Sequence, residues 1–498
     1  MSTREREVKL GTPPGFELPP LTDPGGDVFE GPAETVELDA AYHDSPDLRL
    51  TRAGALLRHR NDEGWTVKLP AAADEATVLA RDEHHFPGAP GSPPDAALDL
   101  LRALLRSTNV EPVARLHTTR CRVPIHALDG TPVAEVVDDR VEVVEGATFE
   151  ATFRELEVEL SEHATDGQRA ALLARLRAAG AGTPDLTPKI VRALGSRATA
   201  PPDVPVPDID AESTVDEVAR AALAACVAKI IAHDPGVRLS EDPEDVHQAR
   251  VATRKLRSHL RTFYALFDEE WATGLRDELR WLGDVLGAVR DADVLLDRLE
   301  RNVGRLPDVD RPSAEKLLDR LRADLERRRQ RLAEALRSDR YVILLDQLVL
   351  VARRPRLLLR INDEGDDILR EVVRQGWQQL SDAVGDLPEN PPDASLHKVR
   401  IDAKRARYAA EAVAPKFGKP ARAFGRAMTE LQDVLGEHQD AVIATEWLRA
   451  AAAHVADEEI GFAAGQLAGL EHTEALAARA EWPAAWKGAS RRRLRACL

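Results

Sequence analysis

A chain of 498 residues with 68 Lys and Arg against 85 Asp and Glu, a formal net charge of −17, is too long for one ordinary core and too acidic to adhere non-specifically to nucleic acid or anionic membrane. With 43% hydrophobic and 31% charged residues it reads as a folded globular protein, so any anion site has to be built locally from clustered cations. Cys121, Cys226 and Cys497 are far apart in sequence, which suits neither a disulfide framework nor a CxxC metal motif, and they are expected as reduced, unpaired thiols. The first nine residues, MSTREREVK, lack the apolar core of a secretory signal. The most apolar stretch, Tyr341 to Ala352, is broken by Asp346 and falls short of the roughly 20 residues a membrane helix needs. The expected location is the cytoplasm.

Residues 1 to about 160 contain short runs bounded by Pro, Gly and Asp, such as TVKL, ARLHTTRCRVPI, AEVVDDRVEVV and FRELEVEL, which predict strands and turns. Several of these strands place charge at every second residue, and therefore on one face. Glu5, Glu7 and Lys9 do so, as do Arg58 and Arg60, Arg81 and Glu83, Arg120 and Arg122, and Glu155, Glu157 and Glu159. Any one such strand is read most simply as a polar face in water. Repeated rows of both signs predict a closed barrel with the charged side turned in, tolerable only if the lumen holds ions. Carboxylates would then hold a hard cation and Arg and Lys would hold phosphate. Arg115 and Arg120 differ in parity, so a bulge is needed for both to reach the lumen.

From Asp166 to Ala179 the pattern turns helical, and a short helix is predicted after Pro188 with Lys189 near its start. Residues 198–210, ATAPPDVPVPDID, are an extended Pro-rich linker. The expected organisation is a first domain over 1–197, a linker over 198–211 and a second domain over 212–490. Thr214 with Glu217 forms a capping box, and from there the chain has helical periodicity. The helices predicted over Pro312 to Leu336 and Asp367 to Ala383 read as charged bundle helices without assigned chemistry. The whole is a multidomain α+β protein: an antiparallel barrel or tunnel with flanking helices, then an all-α bundle.

The helical half repeats itself. DVHQARVATRKLRSHLRTF from Asp245 aligns without gaps to SLHKVRIDAKRARYAAEAV from Ser395, and LGDVLGAVRD from Leu282 matches LQDVLGEHQD from Leu431. Two copies of one unit, related by a pseudo-twofold axis, are expected. His247, Arg250, Arg254, Arg257 and Arg261 share one helix face, and His397, Arg400, Lys404 and Arg407 share the corresponding one. Beside the first row run Val246, Ala249, Leu256, Leu260, Phe263 and Phe267, an apolar stripe for packing. Like charges at this spacing cost a helix roughly 0.2 to 0.5 kcal/mol per pair, so an anion should offset them. Two readings stand at this point: a salt-bridge network with Asp291, Asp293, Asp433 and Asp440, or a cleft for a linear polyanion. Polyphosphate fits better than nucleic acid, because Tyr408 is the one base-stacking aromatic near the rows.

The paired HxxR helices, each followed by a DVLG segment, resemble the CHAD family over residues 212 to 490. That resemblance implies a helical domain that binds polyphosphate, here through His247, Arg250, Arg254, Arg257, Arg261, His397, Arg400, Lys404 and Arg407. The EREVK strand, with YHDSPDLRL, LLRHR, GWTVKLP, VVDD and FRELEVEL in order after it, resembles the CYTH family, the triphosphate tunnel metalloenzymes. That second resemblance implies an antiparallel tunnel. It implies Mg²⁺ or Mn²⁺ on Glu5, Glu7, Glu155, Glu157 and Asp138 or Glu159. It also implies phosphate on Lys9, Arg58, Arg60, Lys68, Arg81, Arg115, Arg120 and Lys189, with Glu5, Glu7, Lys9 and Lys68 as the catalytic set.

The expected function is metal-dependent hydrolysis of inorganic polyphosphate or another triphosphate, with the helical domain binding polyphosphate. Two alternatives stand beside it: a non-catalytic polyphosphate-binding or targeting protein, and adenylate-cyclase-like use of ATP. An association with polyphosphate granules would accompany the first two.

Overall fold

The computed structural model describes residues 2–13, 15–22, 26–71, 78–145, 152–357, 365–454 and 457–495. Two compact units divide between Asp203 and Val204, inside the Pro-rich segment. The first unit contains β1 (Ser2–Gly11), β2 (Val28–Glu30), β3 (Glu34–Asp44), α1 (Arg49–Arg52), β4 (Leu56–Arg60), β5 (Gly64–Pro70) and β6 (Leu79–Phe86). After them come α2 (Asp95–Leu100), α3 (Arg102–Leu105), β7 (Glu111–Ala127), β8 (Pro132–Glu145), β9 (Thr152–Leu160), α4 (Asp166–Ala178) and α5 (Lys189–Leu194).

The strand order is β2-β7-β3-β4-β5-β6-β1-β9-β8, and β8 pairs back onto β7, so eight strands close into an antiparallel barrel with β2 added at one margin. Closure leaves no exposed sheet edge within the ring. The alternation of each strand then decides the chemistry of its two faces. Val8 and Leu10 of β1, Val136 of β8, and Leu156 and Val158 of β9 point outward and are buried beneath Leu172 and Leu176 of α4. The charged residues between them point inward. One end of the lumen is stopped by an apolar plug, where Ile190, Ala193 and Leu194 of α5 pack on Tyr42, Leu56, Leu116, Val141 and Val143. The main apolar core of this unit therefore lies outside the barrel, which leaves the interior free for charge.

The second unit is all helix: α6 (Val215–Leu239), α7 (Pro243–Thr262), α8 (Glu269–Val303), α9 (Arg311–Arg337), α10 (Asp339–Arg353), α11 (Gly365–Gly385), α12 (Asp393–Phe417), α13 (Lys419–Ala453) and α14 (Glu458–Ala489). Thr214 and Glu217 form a complete capping box at the start of α6. The side chain of Asp242 caps α7, with Pro243 at its first position. The internal repeat is visible in the packing: α7 lies between α6 and α8, α12 lies between α11 and α13, and α7 and α12 meet each other. The apolar stripe Val246, Ala249, Leu256, Leu260, Phe263 and Phe267 is buried, as are Leu396, Val399, Ala403, Ala406, Ala410 and Val413. Among the described residues, no helix is long and apolar enough to cross a membrane.

Candidate anion sites

Glu5, Glu7 and Lys9 of β1, Arg58 and Arg60 of β4, Lys68 of β5, Arg81 and Glu83 of β6, Arg120 and Arg122 of β7, Glu135 of β8, and Glu157 and Glu159 of β9 line a cavity of about 180 Å³, with Lys189 at the mouth of α5. Antiparallel register sets opposite charges against each other: Lys9 faces Glu157 on the neighbouring strand, and Glu5 faces Arg81. Lys9 Nζ donates to Glu157 Oε1 at 2.5 Å. Lys68 Nζ donates to both oxygens of Glu5 at 2.8 and 2.7 Å, and also pairs with Glu83. Lys189 reaches Asp139 at 2.7 Å and Glu157 at 3.0 Å. Arg120 makes a two-pronged contact with Asp139 at 2.9 and 2.8 Å. Arg58 and Arg60 both turn to Glu63, and Arg60 also reaches Asp62 at 2.6 Å. Arg81 differs. It is 6% exposed and lines the lumen, yet among the described residues no carboxylate lies within ion-pair distance of it.

The carboxyl groups are split in acidity by these neighbours. Burial opposes ionisation of Glu5, but the charge and hydrogen bonds of Lys68 outweigh it and hold the carboxyl at about 2. Glu7 is pushed up to about 7 by burial and then by the charge of Glu157. Glu159 is pushed up to about 7 for the same two reasons. Glu157 is itself held well below the usual carboxylate range, because Lys189, Lys9 and Arg120 overcome its burial. One fully charged carboxylate thus sits between two that take up protons readily, an electrostatic setting that favours an added cation. Among the described residues no three such groups are already gathered at ligating distance, their oxygens being turned toward Lys9, Lys68 and Arg120. All the donors are hard oxygens, which suits Mg²⁺ or Mn²⁺.

Two expected site residues are placed elsewhere. Arg115 lies on the outer face, its side chain 58% exposed beside Glu145 at 3.1 Å. The bulge between Arg115 and Leu116 does exist, but even-numbered Leu116, Thr118 and Arg120 are the ones that turn inward, while His117 pairs with Asp39 and Glu37 outside. Asp138 also faces outward and holds Arg154 at 2.7 Å, whereas its neighbour Asp139 is the inward carboxylate, fully buried against Arg120 and Lys189. Glu155 is buried at the floor beside Arg192 at 3.1 Å and Lys189 at 3.5 Å. The consecutive pair Asp138–Asp139 gave no sign of which residue points in; counting parity back from Glu157 through the β8–β9 register would have chosen Asp139.

In the helical unit, α7 and α12 bring their cations together. The charges of Arg254, Arg400, Arg407 and Arg250 all act on Lys404, and burial together with this repulsion lowers its ammonium to about 6. Arg250 pairs with Asp291 of α8 at 2.9 Å, and Asp293 is taken by Arg329 at 3.1 Å. Among the described residues, no carboxylate lies within 4 Å of Arg254, Arg257, Arg261, Arg400 or Lys404. The salt-bridge network anticipated as a rival therefore accounts for Arg250, Glu411 meets Arg407 at 3.5 Å, and Asp440 acts on Arg400 without an ion pair among the described residues.

The DVLG glycines supply a part missed from sequence. A Cβ on Gly287 would stand 3.4 Å from Arg250 Nε, and a Cβ on Gly436 would stand 3.2 Å from Arg400 Nη2. In each copy the second motif is the bed on which the first motif's arginine lies, which explains their constant separation.

A CYTH domain model matches residues 4–189 and a CHAD domain model matches residues 221–449. Uncharacterized protein Rv2226 of Mycobacterium tuberculosis is 33% identical over 454 residues, covering 85% of this chain and 84% of its own. The chain belongs to the proteins that join a CYTH domain to a CHAD domain. Among solved structures, the CHAD domain from the plant Ricinus communis is 27% identical with a TM-score of 0.47, over 58% of this chain and 96% of that one. PptA from Streptomyces chartreusis is 27% identical with a TM-score of 0.46, over 55% of this chain and 99% of that one. The CYTH unit carries the charged lumen, and the CHAD unit carries the converging cationic helices.

Proposed function

We propose that the CYTH unit hydrolyses a short triphosphate with the help of a divalent cation, and that the CHAD unit holds polyphosphate. The observation that carries this reading is the closed lumen of about 180 Å³ lined by eight cations, Lys9, Arg58, Arg60, Lys68, Arg81, Arg120, Arg122 and Lys189, with no carboxylate within ion-pair distance of Arg81 among the described residues. Cations at this density in a water-poor space are suited to equatorial phosphate oxygens, whose charge they would stabilise as the terminal phosphoryl group departs. Glu5, Glu7, Glu157 and Glu159 are the residues that would hold Mg²⁺ or Mn²⁺, which when bound neutralises phosphate oxygens and acidifies water. Asp139 and Glu155, fixed by Arg120, Lys189 and Arg192, would set the positions of those cationic groups.

The described lining residues include no Ser, Cys or His, so the reading assigns attack to water rather than to a covalent intermediate.

The test is release of phosphate from tripolyphosphate by the purified chain in Mg²⁺ or Mn²⁺, with and without EDTA, beside a Glu5→Gln/Glu7→Gln double variant. Turnover that needs metal and is lost in the variant supports the enzyme. Wild-type turnover by the variant excludes this lumen, and tight binding without turnover assigns the chain to a polyphosphate-holding scaffold. Cyclic AMP from ATP with no phosphate from tripolyphosphate would assign it a cyclase activity.

A further inference from the structure

The two CHAD repeats are alike in backbone and unlike in charge, and the differences fall in matched pairs. Positions on α7 and α12 correspond at an offset of 150, and positions on α8 and α13 at an offset of 149. Arg250 lies on Gly287 of the neighbouring α8, so at one end of the row His247 comes under the charge of Arg290, whereas at its counterpart His397 the residue equivalent to Arg290 is the uncharged Gln439. In the middle, Arg257 lies over Gly283 of α8, its Nη1 3.9 Å from the place of a Cβ there, under the charge of Arg280 with Asp284 opposing it, whereas Arg407 lies 3.5 Å from the hydroxyl of Thr429, the equivalent of Arg280. At the far end, Arg261 comes under the charges of Arg405 and then Arg276, with Asp402 opposing them, whereas Glu411 packs over Gly425, the equivalent of Arg276, with its Cγ 3.9 Å from the site of a Cβ there.

At these three positions the second copy thus presents a neutral or acidic group where the first has an arginine. Glu411 pairs with Arg407 at 3.5 Å and with Lys255 at 2.5 Å. The first copy sets a cation near a cation at all three positions, with Asp284 and Asp402 opposing part of that charge, and among the described residues neither Arg276 nor Arg290 has a carboxylate within ion-pair distance. Arg280 has only Asp277, at 3.0 Å on its own helix, with both side chains more than half exposed. Such an arrangement is repulsive and costs stability unless a polyanion lies over it.

We infer that Arg276, Arg280 and Arg290 of α8 are polyphosphate-binding residues, and that the chain of phosphates runs along the α7–α8 groove instead of lying symmetrically across the two repeats. This rests on the reading of the CHAD unit as a polyphosphate holder and adds to it a direction and three ligands. From His247 to Arg261 the row advances 14 residues, roughly 21 Å along the helix axis, so it selects for extended chains. Arg290 would contact one end, Arg257 and Arg280 the middle, and Arg261 and Arg276 the other end, with Arg254, Arg400 and Lys404 beneath.

Binding of long-chain polyphosphate and of tripolyphosphate to the full chain is measured across salt concentrations, for wild type, for Arg276→Gln/Arg280→Gln/Arg290→Gln, and for Thr429→Ala/Gln439→Ala. The inference expects the triple variant to lose about tenfold or more in affinity for long chains and to show a shallower dependence on salt, because fewer ions are displaced. It expects the Thr429→Ala/Gln439→Ala variant to stay within about threefold of wild type. The triple variant should also melt no lower than wild type, since it removes repulsion; a purely structural role predicts a lower melting temperature. Unchanged long-chain affinity in the triple variant, an equal loss in both variants, or displacement of polyphosphate by single-stranded DNA of equal charge would overturn the inference. Failure of the wild type to bind long polyphosphate at all would instead remove the reading on which it rests.

Discussion

The guanidinium of Arg400 lies against the backbone of Gly436, at a distance that leaves 3.2 Å between its Nη2 and the place a β-carbon would occupy, and Arg250 lies in the same way over Gly287. Glycine inside a helix costs up to about 1 kcal/mol relative to alanine, so a mid-helix glycine repeated in both copies has to be offset by what it admits. What it admits is a planar cation seated between two helices, with its Nε buried and without a hydrogen-bond partner.

Gly287→Ala and Gly436→Ala should therefore act in opposite directions on two measurements. Melting temperature should rise or hold, since helix propensity improves. Affinity for long polyphosphate should fall by about tenfold, roughly 1.4 kcal/mol, as the guanidinium is pushed off its bed. Parallel calorimetry and binding titration check this, and a fall in melting temperature without loss of affinity would refute it.

Lys404 sets a pH dependence. Its ammonium titrates at about 6 in the fold, through burial and then Arg254, Arg400, Arg407 and Arg250, with Asp291 of α8 engaged by Arg250 and Glu411 of its own helix engaged by Arg407 and Lys255. An ordinary lysine titrates near 10. Between those values the folded chain binds fewer protons than the unfolded chain, so the Lys404 contribution to stability should improve as pH rises from about 6 toward 10. A bound polyanion reverses the repulsion, so the complex should take up close to one proton at pH 8, and affinity should weaken as pH rises through this window. Calorimetry in two buffers of different ionisation enthalpy measures the uptake. Lys404→Arg, permanently charged, should abolish it.

Among the described residues, Arg81 is a lumen cation with no carboxylate within ion-pair distance. Arg81→Gln should leave thermal stability nearly unchanged while raising KM for tripolyphosphate about tenfold. Glu157→Gln should lower both stability and turnover, because Glu157 would help hold the divalent cation and also joins Lys9, Lys189 and Arg120, and breaking such a buried network costs roughly 3 to 5 kcal/mol.

Asp138 and Asp139 form an internal control. Asp139→Asn removes the partner of both Arg120 and Lys189 and should depress both stability and turnover. Asp138→Asn loosens a mostly buried, two-pronged contact with Arg154 on the outer face, so it should lower stability while leaving turnover unchanged.

Removal of divalent metal should lower the protection that tripolyphosphate gives against heat. At a ligand concentration 100 times its Kd, a single site adds about 2.7 kcal/mol. With Glu7 and Glu159 titrating at about 7, metal competes with protons there, so protection by metal with tripolyphosphate should grow between pH 6 and pH 8. Differential scanning fluorimetry across that range, with EDTA as the comparison, reads the effect.

The alternation of strands and the period of helices are local properties, and residues two, three or four apart keep their faces whatever the tertiary fold. For that reason the charged barrel faces, the capping box at Thr214, the Pro-rich divide and the doubled helical unit were legible in the sequence itself. The choice of Asp139 over Asp138, the outward turn of Arg115, the lack of an ion-pair partner for Arg81 among the described residues and the bed that Gly436 offers Arg400 were not. Each depends on which strand or helix lies alongside and in what register. Register is set by the closure of the whole ring and by the packing of helices about 150 residues apart, so only the tertiary structure could assign those partners.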